Sequence, residues 1–372
     1  MNSSNGSNSD TSIGFSNVYK TNATIFLGNG FDLNLGAKTG FPDFADYYLN
    51  KTKSSMDSEV LHRFKNAIKR EMKNATWSQV EQFIGEFSSQ ALVLNDYIEC
   101  LCDLTIHLSD YLEEIEKHFE LSEGKLETLA KFGTRLDLDL DLAEKLGKRF
   151  GDRTFINTNF INFNYTSFLA TILENINVID NRLNFHRNIN IYGTVGTPMI
   201  MGVDNISQIR KNTLLRNEED SLDFVKPLCN LHMNPERVES AKETVRESDI
   251  ICIYGMSMGD SDAYWWKEIY RTMTNKTSVE LYIHTYDSDP KHRAFPRYSR
   301  ILAKEVLTKF LGYSGRKIGD DLDLEGRIHV ESQEHTFHVL QNLYQECGLS
   351  HERKTLRNIL SSDATKTHYT PN

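Results

Sequence analysis

Hydrophobic and polar positions along the chain follow two periods in turn. A short run, ATIFLG (Ala23–Gly28), is near-continuously apolar and of strand length. From about residue 42 to about residue 150 there is then almost no β-type run. Within that stretch SQVEQFIGEFSSQALVLNDYIECLCDLTIHLSDYLEEIEKHF repeats apolar residues at intervals of three and four, and Pro42 stands where a first helical turn favours proline. The pattern predicts a helical block of roughly a hundred residues. From Thr154 onward the period switches again. TFINTNFINFNYT, NINIYG, PMIMGVD, IICIYG, SVELYIHTYD and RIHVES read as strands, with helices expected at 166–175, 235–247, 261–273, 298–312 and 335–347. Near-continuously apolar strands separated by helices predict an α/β fold built on a mostly parallel sheet covered on both faces. ATIFLG needs that sheet for its own burial, so the helical block reads as a large insertion after the first strand.

Composition narrows the class without changing this picture. The chain has 372 residues, 25% of them charged, and a formal net charge of -10. An excess of acid opposes diffuse electrostatic attraction to phosphate backbones, so nucleic acid is not expected as the partner. No apolar run approaches the ~20 residues of a membrane span, and the N-terminus has neither a basic nor an apolar leader segment. No membrane association and a cytoplasmic location are expected. Residues 1–20 and 351–372 read as polar tails around one domain at 21–350. Five cysteines, Cys100, Cys102, Cys229, Cys252 and Cys347, form no CxxC pair and read as reduced, mostly buried thiols.

Ligands of open parallel sheets bind beyond the carboxyl ends of the strands, and four places there carry candidate chemistry. After ATIFLG come Gly28, Gly30 and Gly36, a turn in which backbone can approach a phosphate and free amides can point at it. A dinucleotide fingerprint would also have glycine at 33, where this chain has leucine. After the longest β-type run stands Asn164, which can donate to and accept from a ribose or base, or close a turn. After NINI come Tyr192 and Gly193. After IICIY, a Gly-Ser-Gly-Asp turn carries Gly255, Ser257, Asp260 and Asp262, residues suited to an anion or simply to capping the next helix. Glu81 shares a helix face with Trp77 four residues earlier; in isolation the first reads as solvated and the second as core. The histidine spacings fix no metal, and no metal is predicted.

Five stretches taken in order, GNGFDLNLGAKTGFPDF, TWSQVE, NFNYTSFL, YGTVGTPMIMGVDN and YGMSMGDSDAYW, resemble the bacteriophage abortive-infection AbiH family over about residues 23 to 290. The resemblance implies a phage-defence effector. A more distant resemblance is to sirtuins and Sir2-like NAD hydrolases: Gly28, Gly30 and Gly36 match their glycine spacing, Gly40-Phe41-Pro42-Asp43-Phe44 their I-P-x-F element, Asn164-Tyr165 their Asn-Tyr pair, and Gly255 to Met258 their late turn. That resemblance implies a Rossmann-like (Sir2-like) sheet that binds a nucleotide, NAD, as substrate or ligand. The binding positions it implies are Gly28, Asn29, Gly30, Phe31, Asn164, Gly193, Gly255, Ser257, Asp260 and Asp262. The chain departs from that pattern: four extra residues precede Gly40-Phe41-Pro42-Asp43-Phe44, no arginine follows Phe44, and two site positions differ. Tyr192 stands where those enzymes have a histidine base, and Asp32 where they have serine. A phenol with a pKa near 10 is a poor base at neutral pH, although it can donate a hydrogen bond. Asp32 or Glu81 is then the expected base, with His186 more remote and Asn164 fixing the ribose. The resulting expectation is hydrolysis of the N-glycosidic bond, restrained until infection by a homo-oligomer or released by a phage-derived trigger. The alternatives are a non-catalytic nucleotide sensor and a metal-dependent nuclease-type toxin using Asp32, Glu81, Asp260 and Asp262.

Overall fold

Six strands, β1 (Tyr19–Leu27), β2 (Thr154–Asn162), β3 (Asn184–Asn190), β4 (Ile250–Tyr254), β5 (Glu280–His284) and β6 (Ile328–Glu331), form one sheet in the order β3-β2-β1-β4-β5-β6. Every pairing is parallel. The computed structural model describes residues 19–51, 57–72, 75–91, 93–119, 154–179, 184–210, 219–285 and 296–331. β1 pairs with β2 along its whole length, Tyr19 opposite Thr154 through Leu27 opposite Asn162, and with β4 from Ala23 opposite Ile250 to Leu27 opposite Tyr254. All five residues of β4 are buried, the signature of a strand covered on both faces. The fold is therefore α/β and Rossmann-like. The strand order reverses between β1 and β4, and their carboxyl ends mark the place where such sheets open a ligand crevice.

Eleven helices among the described residues surround the sheet: α1 (Gly30–Asn34), α2 (Phe41–Lys51), α3 (Glu59–Ala67), α4 (Trp77–Phe87), α5 (Leu94–His118), α6 (Phe168–Ile179), α7 (Lys226–Met233), α8 (Pro235–Glu247), α9 (Ala263–Asn275), α10 (Pro296–Gly312) and α11 (Leu322–Glu325). Between β1 and β2 the helices α2 to α5 make the expected insertion, with a core of aromatic rings, Phe41, Phe44, Tyr48, Phe64, Phe83 and Phe87, all 5% exposed or less. Residues 120–150 of the expected helical block, the helix expected at 335–347 and both polar tails except Tyr19 and Lys20 lie outside the described residues.

One strand expectation fails. PMIMGVD forms no ladder; its β pairing among the described residues is a single bridge, Val203 to Val225. Tyr165 Oη donates to the Ile200 carbonyl at 2.8 Å, and Met201 and Val203 turn into the core of the insertion beside Phe224 and Val225. At Gly202 a side chain would stand 2.2 Å from the Phe224 carbonyl, so the backbones meet where only glycine fits. These residues are apolar because they complete the insertion's core, not because they join the sheet. The insertion's core is thus completed by the later chain.

Candidate functional site

The turn after β1 is built against the turn after β4. The Gly28 amide donates to the Tyr254 carbonyl at 3.0 Å and the Gly30 amide to the Gly255 carbonyl at 2.8 Å. A side chain at Gly30 would stand 2.5 Å from the Gly255 Cα, and one at Gly255, whose φ is +67°, would stand 2.6 Å from the Phe31 nitrogen. The glycines therefore let two turns clasp each other backbone to backbone, and the amides of Gly28 and Gly30, expected to face a phosphate, are spent on that clasp. Immediately beyond, Asp32 lies buried in α1. Asn164, after β2, donates to its Oδ1 at 3.3 Å and Thr166 donates to its Oδ2 at 2.7 Å. Burial raises the Asp32 pKa to about 7, against the opposing effect of the Thr166 bond and with a smaller push from Glu116. The carboxyl is thus poised to gain or lose a proton near neutrality.

The insertion supplies the facing wall. Thr76 and Gln79 form a capping box at the start of α4, which fixes that helix end. Trp77 stacks on Phe44, its ring 5.7 Å away, while its indole N–H donates to the Thr39 carbonyl at 2.9 Å. One turn on, Glu81 accepts from Lys226 Nζ at 2.6 Å, a pair whose side chains are 17% and 2% exposed. Lys226 opens α7, with Pro227 in the first turn, and its ammonium lies 4.7 Å from the centre of the Tyr192 ring. Burial and the helix N-terminus both disfavour a cation there. Burial alone would lower its pKa, but Glu81 above all, then Tyr192, Asp262 and Tyr165, raise it well above the usual lysine value. Tyr192 Oη donates to Asp262 Oδ1 at 3.3 Å, and burial pushes its pKa well above 10, so it is a neutral donor and not a base. Asp204 stands near the same charges; burial raises its pKa to about 7, and its Oδ1 is a buried oxygen without a hydrogen-bond partner.

A cleft of about 900 Å³, partly continuous with solvent, runs between these walls at the strand ends. Of the residues anticipated from sequence, Gly28, Asn29, Asp32, Glu81, Asn164, Tyr192, Gly255, Ser257 and Asp262 line it. Gly30, Phe31, Gly193 and Asp260 do not. Gly30 is locked under Gly255, Phe31 is buried beneath the turn, and Gly193 packs against the Pro198 carbonyl. Asp260 faces a separate cavity and accepts from Tyr313 Oη at 2.7 Å. The side chain of His186, in β3, lies outside the described ones. Trp77 belongs both to the insertion core and to the cleft wall. Sequence reading missed Lys226, Thr166 and Asp204. A lone lysine ahead of a proline carries no local signal of burial, although a Lys-Pro opening to an amphipathic run marked a helix start that went unread.

The family model described as bacteriophage abortive infection AbiH matches residues 25–284, more than half of the chain. The chain belongs to the AbiH family. The matched span opens in β1 and closes at the end of β5, so it takes in the clasped turns, the insertion and every cleft residue named above. Membership places this AbiH protein in phage defence by abortive infection. No curated protein matches the chain. Among the described residues no helix is long and apolar enough to cross a membrane, and no group of three or more His, Cys, Asp or Glu side chains is placed to hold a metal ion.

Proposed function

We propose that this AbiH-family protein binds the nicotinamide riboside end of NAD in the cleft and hydrolyses its N-glycosidic bond. The observation that carries the reading is convergence: Asp32, Glu81, Asn164 and Asp262, from four distant chain segments, line one cleft at the switch point of a Rossmann-like sheet beside the rings of Trp77, Phe163 and Tyr165. Carboxylates and aromatic faces suit a cationic pyridinium ring. In the step proposed, the bond between ribose C1′ and the pyridinium nitrogen breaks and its electron pair leaves with neutral nicotinamide. The positive charge left on the ribose is stabilised by Glu81, which Lys226 holds in place, and Asn164 orients the sugar hydroxyls. Water adds to C1′, and Asp32 takes the proton that water loses.

Purified protein incubated with NAD should release free nicotinamide, and Asn164→Ala and Asp32→Asn should each lower the rate by on the order of a hundredfold while remaining folded. Release unchanged by both substitutions would refute the site. One observation favours a second reading, a non-catalytic nucleotide sensor. Asp32 is hydrogen-bonded through both oxygens and Glu81 is tied to Lys226, so each candidate base already has a partner. NAD binding without nicotinamide release would select that reading.

A further inference from the structure

The cleft is well suited to the glycosyl end of a dinucleotide and poorly suited to its phosphates. Asp32, Glu81 and Asp262 line it against one cation, Lys226, and the amides of Gly28 and Gly30 are consumed by the clasp. A pyrophosphate in that space would meet three carboxylates. A second cavity, open to solvent, is lined by Ser78, Gln82 and Glu86 of α4 and has Ser78 as a wall in common with the cleft. The turn after β4 is divided in the same way, with Met256 and Ser257 facing the cleft and Gly259 and Asp260 facing the second cavity.

The second cavity has the chemistry the cleft lacks. Arg210 and Lys309 line it together with the hydroxyl residues Ser78 and Ser207. Its two carboxylates are Glu86 and Asp260. Asp260 Oδ1 accepts from Tyr313 Oη at 2.7 Å. The Arg210 pair to Glu86 is long, 3.6 Å, between side chains 61% and 47% exposed, the kind of surface pair that is exchanged at little cost for a better anion. A guanidinium fork and an ammonium facing one space are a phosphate-binding combination.

We propose that the second cavity is an anion subsite that takes the phosphate groups of the ligand whose glycosyl end occupies the cleft, with Arg210 and Lys309 as the recognising cations. The inference rests on the nucleotide reading above for the identity of the ligand, but the subsite can be tested apart from it. Titration calorimetry with the full chain would compare NAD, nicotinamide riboside (the same glycosyl end without phosphates) and inorganic pyrophosphate. In the double variant Arg210→Ala, Lys309→Ala, whose changed side chains are on the surface, NAD and pyrophosphate should each bind at least tenfold more weakly. Nicotinamide riboside should bind as it does to the wild type, and the dependence of NAD affinity on salt should flatten. NAD bound equally well by the double variant, or the same loss for the riboside as for NAD, would overturn the subsite and leave the cleft assignment standing. Should the wild type bind neither NAD nor the riboside, the nucleotide reading fails and pyrophosphate decides alone. Binding that the double variant loses supports the subsite, and no binding overturns it.

Discussion

Replacing Glu81 by alanine leaves the Lys226 ammonium buried without its closest counter-ion, and the structure sets the scale of the loss. The two charged atoms are 2.6 Å apart and the lysine side chain is 2% exposed, so the ammonium depends on this carboxylate for its charge balance. Removing one partner of a buried pair costs about 3–5 kcal/mol. Asp262 and the Tyr192 ring remain near the ammonium and offset part of that, so about 3 kcal/mol is the expected cost. Lys226→Met should cost less, because Glu81 is 17% exposed and can hydrate. The double variant Glu81→Gln, Lys226→Met removes both charges at nearly constant volume and should recover most of the stability, giving a coupling of at least ~2 kcal/mol in the cycle. Urea denaturation followed by circular dichroism measures all four proteins, and the Glu81→Ala melting point should fall by roughly 6–12 °C. A loss below about 1 kcal/mol for Glu81→Ala, or additive effects in the cycle, would mean that Lys226 is not confined to this pair.

The clasp predicts a sharp contrast between glycines. Gly30→Ala drives a methyl to 2.5 Å from the Gly255 backbone and should cost more than about 2 kcal/mol, whereas Gly40→Ala, whose nearest neighbour would be 3.4 Å away, should be near neutral by thermal melting. Asp32 predicts a pH dependence. Its carboxyl titrates at about 7 when folded against 3.8 ordinarily, so the folded state holds the extra proton between those values; stability should fall as pH rises from 3.8 to about 7 and level off above, by on the order of 4 kcal/mol in all. Asp32→Asn should flatten that slope in denaturation curves taken across the same range, and a slope unchanged by the substitution would refute the assignment. On the proposed reading the acidic cleft prefers the cationic oxidised ring, so NAD should bind at least tenfold more tightly than its neutral reduced form, and Glu81→Gln should narrow the gap in calorimetry.

The sheet was legible because its physics is local. A strand buried on both faces must be apolar throughout, and IICIY is, with all five residues buried in β4. The same rule misread PMIMGVD, since a core residue of a helical insertion is as apolar as a strand residue, and what diverts it are distant contacts such as the Tyr165 bond to Ile200 and the Phe224 carbonyl against Gly202. The glycine spacing at 28, 30 and 36 was equally visible, but its use was not. The partner that requires Gly30 is Gly255, 225 residues later, and a phosphate cradle and a backbone clasp call for the same residue type.

Tyr192 gains a physical account from residues the sequence could not pair with it. Its ring faces the Lys226 ammonium at 4.7 Å and its phenol donates to Asp262, so one side chain accepts a cation on its face and satisfies a carboxylate at its tip. An imidazole in that position would stand beside a buried ammonium, and its protonated form would be disfavoured by the like charge, which removes the proton-accepting capacity a base needs. Tyrosine here is therefore coupled to Lys226 and, through Lys226, to Glu81 on the insertion. If the cleft is catalytic, the attacking water gives its proton to Asp32, whose pKa burial raises to about 7. If it is a sensor, the same coupling lets a ligand that touches Tyr192 disturb the contact between insertion and body. In both cases Lys226, invisible as chemistry in the sequence, is the residue on which the two halves of the site depend.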